Sequence, residues 1–212
     1  MKPRTPEETY GPALEKAVRD LRSLDPWLVA LRSDTKYTRF TEARGQIEVR
    51  FWGSDYVVSY PEISIQEVGT GQEPPIATQI LILHYLINAD GTRLADHWIS
   101  FRELPDGRVY DAAFRRRGSL RLAQAFGKDL EGFVAAATLL GGERLTYGDA
   151  SFLFSMFPRL RLAVVLHLAD EEFPASANVL FDAAAGHYLP TEDLAVLGGM
   201  LAAWLIKAGK SR

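Results

Sequence analysis

The chain contains no cysteine, and that single absence removes disulfides, thiolate nucleophiles, cysteine-type structural zinc and thiolate-held iron-sulfur clusters. Nor is there a basic surplus. Lys and Arg number 24 against 27 Asp and Glu, a net charge of -3, so the phosphate neutralisation that drives nucleic-acid binding is not expected. No apolar run approaches the roughly 20 residues a membrane helix needs; the longest candidate, Ile76 to Ile87, is too short. The opening MKPRTPEETYGP lacks the continuous apolar segment of a signal peptide. These features predict a soluble, cytoplasmic protein that neither enters a membrane nor binds nucleic acid. Catalytic signatures are missing as well: no phosphate loop, no GxGxxG after a strand, no HExxH and no GxSxG.

What is present is enough apolar material for a core. At 212 residues and 47% apolar content, the chain suits one domain over 1-212, since a single core can grow to roughly 250 residues before splitting. Thr5, Pro6 and Glu8 spell a capping box, and Tyr10, Leu14, Val18 and Leu21 fall on one stripe of the helix that follows. Asp25 and Pro26 start a second, short helix carrying Trp27, Leu28 and Leu31. Together they predict an N-terminal helical layer over residues 1-35. From Gln46 the period shortens to two, with Ile47, Val49 and Phe51 alternating against Glu48, Arg50 and Trp52; a turn at Gly53 to Asp55 then makes a β-hairpin, and Ile63 to Val68 adds a further strand.

Beyond the loop GTGQEPP, Ile76 to Ile87 reads as a buried helix and His97 to Leu104 as extended chain. Two helices follow over Ser119 to Phe126 and Asp129 to Leu140, then two strands over Phe152 to Phe157 and Leu162 to Leu168. A last helix starts near Pro190, with Glu192 and Asp193 at its positive end. The fold expected is α+β: N-terminal helices and a C-terminal helix packed on a mainly antiparallel sheet.

Three places carry candidate chemistry. Asp170, Glu171 and Glu172 follow a strand that is apolar on both faces, and a partly desolvated member of such a run would have a raised pKa, suiting a proton donor or a cation ligand. A solvated strand end is the plainer account. His187 lies beside Tyr188 in a glycine-containing loop before the last helix, where side chains tend to be exposed; His167 and His84 read as buried core histidines. Trp98, Phe101, Tyr110 and Phe114 make an aromatic-rich stretch, either core or the wall of a flat-ligand pocket, with Arg102 and Glu103 as polar contacts. Arg115, Arg116, Arg117 and Arg121 form a basic cluster able to bind an anion or to remain a solvated face.

The segments HWISFREL, YDAAFRRR and FPRLRLAVVLHLADEEFPASANVLFDAAAGHYLPTEDLAVL resemble a prokaryotic family catalogued as the domain of unknown function numbered 3786. The likeness runs from about Ile80 to the C-terminus, most specifically at Asp170 to Pro174, Leu180 to Asp182 and Tyr188 to Asp193. The family brings no established activity, and the cofactor stays unknown. It does imply a setting in anaerobes with corrinoid and one-carbon metabolism, where some relatives carry a cysteine-rich iron-sulfur motif that this chain lacks. The expected function is therefore a binding or accessory protein with a corrinoid or iron-sulfur protein as partner, its ligand surface formed by Trp98, Phe101, Arg102, Glu103, Asp170, Glu171, Glu172 and His187. The alternatives are a divalent-metal-dependent or carboxylate-based hydrolase built on Asp170 to Glu172, and a structural or protein-interaction module.

Overall fold

The structure, a computed structural model, describes residues 5-210; the first four residues of the expected N-terminal layer lie outside it. Its class is α+β with antiparallel strands, which fall into two sheets. The chain divides into two compact units. One runs to Arg93 and takes in residues 156-159 and 187-189; the other consists of 94-155, 160-186 and 190 onward.

The first unit begins with α1 (Pro6–Arg22), whose N-cap Thr5 accepts the Glu8 N–H while the Glu8 carboxylate accepts that of Thr5. This is the capping box expected from sequence, and it satisfies two of the amides a helix start leaves open. Ala17 and Leu21 carry the burial of α1, whereas Tyr10 is exposed. In α2 (Pro26–Ser33), capped by Asp25, the residues turned inward are Val29, Ala30 and Ser33. Trp27, Leu28 and Leu31 are exposed instead.

A four-stranded sheet follows in the order β1 (Lys36–Arg39), β2 (Gly45–Phe51), β3 (Ser54–Tyr60), β4 (Ile65–Glu67). Ile47, Val49 and Phe51 of β2 face inward with Tyr56, Val58 and Tyr60 of β3, and the pairing sets Ile47 opposite Val58 and Val49 opposite Tyr56. The expected hairpin is present, with its turn one residue earlier, at Trp52 and Gly53, which both have positive φ. Two such residues make the turn whose twist matches the strands. α3 (Ile76–Asn88) is apolar on nearly every face and buries Ile80 to Leu83, Tyr85 and Leu86; α1 packs on it.

The second unit holds a five-stranded sheet in the order β5 (Trp98–Ser100), β9 (Ser176–Asp182), β8 (Leu160–His167), β7 (Ala150–Phe157), β6 (Glu143–Leu145). β8 is internal and buried on both faces, as its unbroken apolar run requires. Its last residue, His167, is exposed, so the buried-histidine reading does not hold. The helices are α4 (Gly107–Arg117), α5 (Ser119–Phe126), α6 (Leu130–Leu139) and α7 (Thr191–Lys210). α5 covers β9, and α7 packs along α4, α5 and α6. Only the first three residues of the expected extended run His97 to Leu104 beyond the histidine are strand; Phe101–Glu103 is a single 3-10 turn.

Asp182 ends β9 with none of its surface exposed. Its carboxylate accepts the backbone N–H groups of Ala95 (3.0 Å), Asp96 (2.8 Å) and Ala184 (2.8 Å). A buried carboxylate is tolerated when hydrogen-bond donors surround it, and this one fastens the chain entering β5 to the end of β9.

Candidate functional site

The aromatic and charged stretch around Phe101 folds into the wall of a hollow in the second unit. Ser100 and Glu103 set the local geometry: the Glu103 carboxylate accepts both the Ser100 N–H and the Ser100 hydroxyl, each at 2.7 Å. Those two bonds hold the Glu103 carboxyl below the usual carboxylate range. Glu103 thus closes the 3-10 turn. Phe101 is buried and stacks on Phe114 with ring centroids 4.2 Å apart and planes 15° apart, with Phe181 at 6.1 Å and 5.7 Å from the two. The start of α4 comes so close to this turn that a Cβ on Gly107 would sit 1.9 Å from the Phe101 carbonyl oxygen.

That close approach determines what faces the hollow. Asp111, Phe114 and Arg115 are spaced i, i+3, i+4 on α4 and therefore share one side of the helix. With Phe101, Arg102, Ser119, and Asn178 of β9 they line a cavity of about 280 Å³. Arg102 Nε lies 3.9 Å from the carboxylate of Asp111, which is 18% exposed. That separation is too long for a hydrogen bond, so the guanidinium keeps its donors for something else. Arg115 takes part in no hydrogen bond or ion pair among the described residues, while Arg116 bonds back to the Ala112 carbonyl of its own helix at 3.2 Å. The basic cluster read from the sequence is thus split, with one member turned to the cavity.

Of the expected ligand surface, Phe101 and Arg102 line this hollow; Trp98 and Glu103 do not. Trp98 is half-buried in β5, paired opposite Asp182. The acidic run is elsewhere in the same unit and is exposed. Asp170 accepts the N–H groups of Glu172 (2.9 Å) and Phe173 (2.6 Å), and those bonds push its pKa down. This is the opposite of the raised value that a desolvated proton donor would need. Asp170 forms a turn, and Glu171 and Glu172 remain on its surface.

His187 belongs to the first unit, where its carboxylate partner is Asp90 and not a member of the run. Nδ1 lies 2.7 Å from Asp90 Oδ2 and 3.2 Å from the Thr92 hydroxyl. Asp90 Oδ1 accepts the Thr92 N–H at 2.9 Å. Bonds from Thr92, and then His187, hold the Asp90 carboxyl at about 2. The backbone of this loop is tied down twice more, by Arg159, which donates to the Gly91 carbonyl at 2.6 Å, and by the Tyr188 hydroxyl, which donates to the Thr92 carbonyl. Arg159 also pairs with Asp34 at 3.4 Å. Its N–H bonds the hydroxyl of Tyr85, which in turn donates to the Ser33 carbonyl. Burial pushes the Tyr85 and Tyr188 hydroxyls up, so both stay protonated donors. Tyr85 stacks on Phe157 at 4.2 Å and 7°.

No group of three or more His, Asp or Glu able to hold a metal ion occurs among the described residues. Nor is any described helix long and apolar enough to cross a membrane.

A family described as a domain of unknown function, DUF3786, matches residues 25–204. The chain belongs to this family. The match to DUF3786 reaches further toward the N-terminus than the residues that carried the resemblance, taking in α2, the first sheet and α3 as well as the second unit as far as residue 204. α1 lies before it. Neither a curated protein nor a solved structure matches the chain.

Asp90, Asp111, Ser119 and Asn178 were not among the residues singled out from sequence. For Asp111 the signal was there, since its spacing from Phe114 and Arg115 is helical; for Asp90 it was the Asp-Gly-Thr loop, where an Asp two residues before a Thr N–H is a frequent turn former.

Proposed function

We propose that the chain is a binding or accessory module that takes a small anionic ligand in the Phe101, Arg102, Arg115 cavity of its second unit. The observation behind this is one hollow lined by two arginines with unfilled donors, Arg102 and Arg115, beside the stacked Phe101 and Phe114. Guanidinium donors match carboxylate and phosphate oxygens in pairs. Asp111, mostly covered and on the same wall, favours a ligand that also brings a hydrogen-bond donor. A volume of about 280 Å³ falls just below the range of ligand pockets, roughly 300 to 1,000 Å³, and so suits a metabolite of a few carbons or a single phosphorylated or acidic group.

The corrinoid or iron-sulfur setting implied by the family likeness fits this reading only through a partner. A tetrapyrrole exceeds the cavity, and with no cysteine in the chain a cluster would be held by the other protein. An accessory role would then place an acidic group of that protein, or a small anion shared with it, against Arg102 and Arg115.

Thermal melts with inorganic phosphate, citrate and cobalamin, followed by calorimetry, test the proposal. Phosphate or citrate is expected to raise Tm by a few degrees, as binding to the folded state alone requires. Arg115→Ala is expected to abolish that rise with little change in the melt of the free protein. If neither anion moves Tm, or if Arg115→Ala responds like the parent, the cavity is not an anion site.

A further inference from the structure

His187 and Asp90 form a pair that the anion cavity does not use, and their geometry is that of a base with its orienting carboxylate. Both are about half exposed, with side-chain exposures of 49% and 50%. Asp90 is ionised at any pH above strong acid and lies 2.7 Å from Nδ1. A fixed negative charge there keeps the imidazole proton on Nδ1, which leaves the lone pair on Nε2. The carboxylate cannot drift, because its other oxygen holds the Thr92 N–H while Arg159 and Tyr188 fix the two following carbonyls. The loop is therefore fixed by its own turn and by Arg159 and Tyr188, as an efficient site needs.

We propose that His187 is the proton acceptor of a hydrolytic site in the first unit, with Asp90 as its positioning residue and a small acyl ester as its substrate class. The water proton passes to Nε2 as the water oxygen adds to the acyl carbon. The carbon–oxygen bond to the alcohol then breaks, and the departing oxygen takes the proton from Nε2. Ester and water become acid and alcohol, and the imidazole is regenerated. Acyl transfer is favoured over phosphoryl transfer because the latter depends on cations clamped to the phosphoryl oxygens, and the nearby cation, Arg159, is already bound to the Gly91 carbonyl and to Asp34. Tyr188, which feels Arg159, Asp90 and Asp34, and Arg159, which pairs with Asp34, are the charged and titratable groups tied to the loop that carries the pair.

The test uses the full chain with 4-nitrophenyl acetate, reading release of 4-nitrophenolate between pH 6 and 9. The second-order rate is expected to exceed that of free imidazole at the same pH by at least about tenfold and to be slower in heavy water, as general-base catalysis requires. His187→Gln should remove the excess, and Asp90→Asn should remove about nine-tenths of it while the melt of each variant shows it folded. Should His187→Gln fail to fold, carbethoxylation of the parent, located by mass spectrometry and reversed with hydroxylamine, gives the same answer: loss and recovery of the excess must track His187. A rate no higher than free imidazole, a rate unmoved by blocking His187, or no slowing in heavy water would overturn the proposal.

Discussion

Asp182 illustrates how a charged residue can be wholly structural. It is fully buried, and each of its bonds is to a backbone N–H, from Ala95, Asp96 and Ala184. Replacing it with alanine strands those three donors, each costing roughly 1 to 3 kcal/mol if left unpaired. Asp182→Ala should therefore destabilise by about 3 kcal/mol or more, measured by urea unfolding, with Asp182→Asn milder because it retains an acceptor. A loss within 0.5 kcal/mol would mean that water reaches those amides. Asp90 makes the opposite case: exposed, but electrically defined. Its folded pKa of about 2 lies below the ordinary value near 3.8, so the folded state binds this proton less tightly than the unfolded chain does. Its contribution is complete above about pH 4 and is lost as pH falls through 2. Solvent screening at a half-exposed site keeps the effect small. Asp90→Asn should flatten the acid limb of the stability profile between pH 4 and 2, and Tm measured across that range would show whether it does.

At the scale of elements, the start of α4 is set by its close approach to the 3-10 turn. Gly107 meets the Phe101 carbonyl at a distance no side chain could tolerate, and neither is a flexible side-chain end that could move aside. Gly107→Ala should push α4 off the 3-10 turn and destabilise by about 1 to 3 kcal/mol. Because Asp111 and Arg115 ride on that helix, the same substitution should weaken anion binding without altering any residue that lines the cavity; calorimetry with phosphate would separate the two effects. The elements whose period was strong were legible in the sequence. The Thr5 capping box, the β2-β3 alternation and the continuous apolar run of α3 each agreed with local chemistry, and α5 has the bounds expected of it, Ser119–Phe126. α4 and β9 were not. Residues 107-117 expose most of their side chains and bury only Gly107 and Phe114, leaving no apolar stripe to read. Ser176 to Asp182 follows a turn rich in acidic residues that drew attention to itself. α2 was readable as a helix but not in its orientation: Trp27, Leu28 and Leu31 looked like its buried stripe, whereas the smaller Val29 and Ala30 are the ones inside. The candidate site was legible by composition only. Phe101 and Arg102 could be named, but the partners that give them meaning, Asp111, Arg115 and Asn178, come from another helix and a strand, and the partner of His187 lies 97 positions away in the chain. Local pattern does not encode pairings of that span.

For the whole molecule, the path of the chain matters more than the number of its compact units. The backbone leaves the first unit after Arg93, returns for 156-159, leaves again, returns for 187-189 and ends in the second. Neither unit is one continuous segment, so no single cut in the chain separates them. Each return brings a side chain with structural work to do: Phe157 stacks on Tyr85, Arg159 holds Gly91 and Asp34, and Tyr188 reaches the Thr92 carbonyl, all within the first unit. If the second unit unfolded alone, the ends of those short returns would be released, and the first unit would keep them only against the entropy of the freed chain. We therefore expect the molecule to unfold as one cooperative domain. Calorimetry should give a single transition whose van't Hoff and calorimetric enthalpies agree. Arg159→Ala, made in the first unit, should shift that whole transition downward rather than split it. Two resolved transitions in the parent chain would mean that each unit stands as a domain of its own.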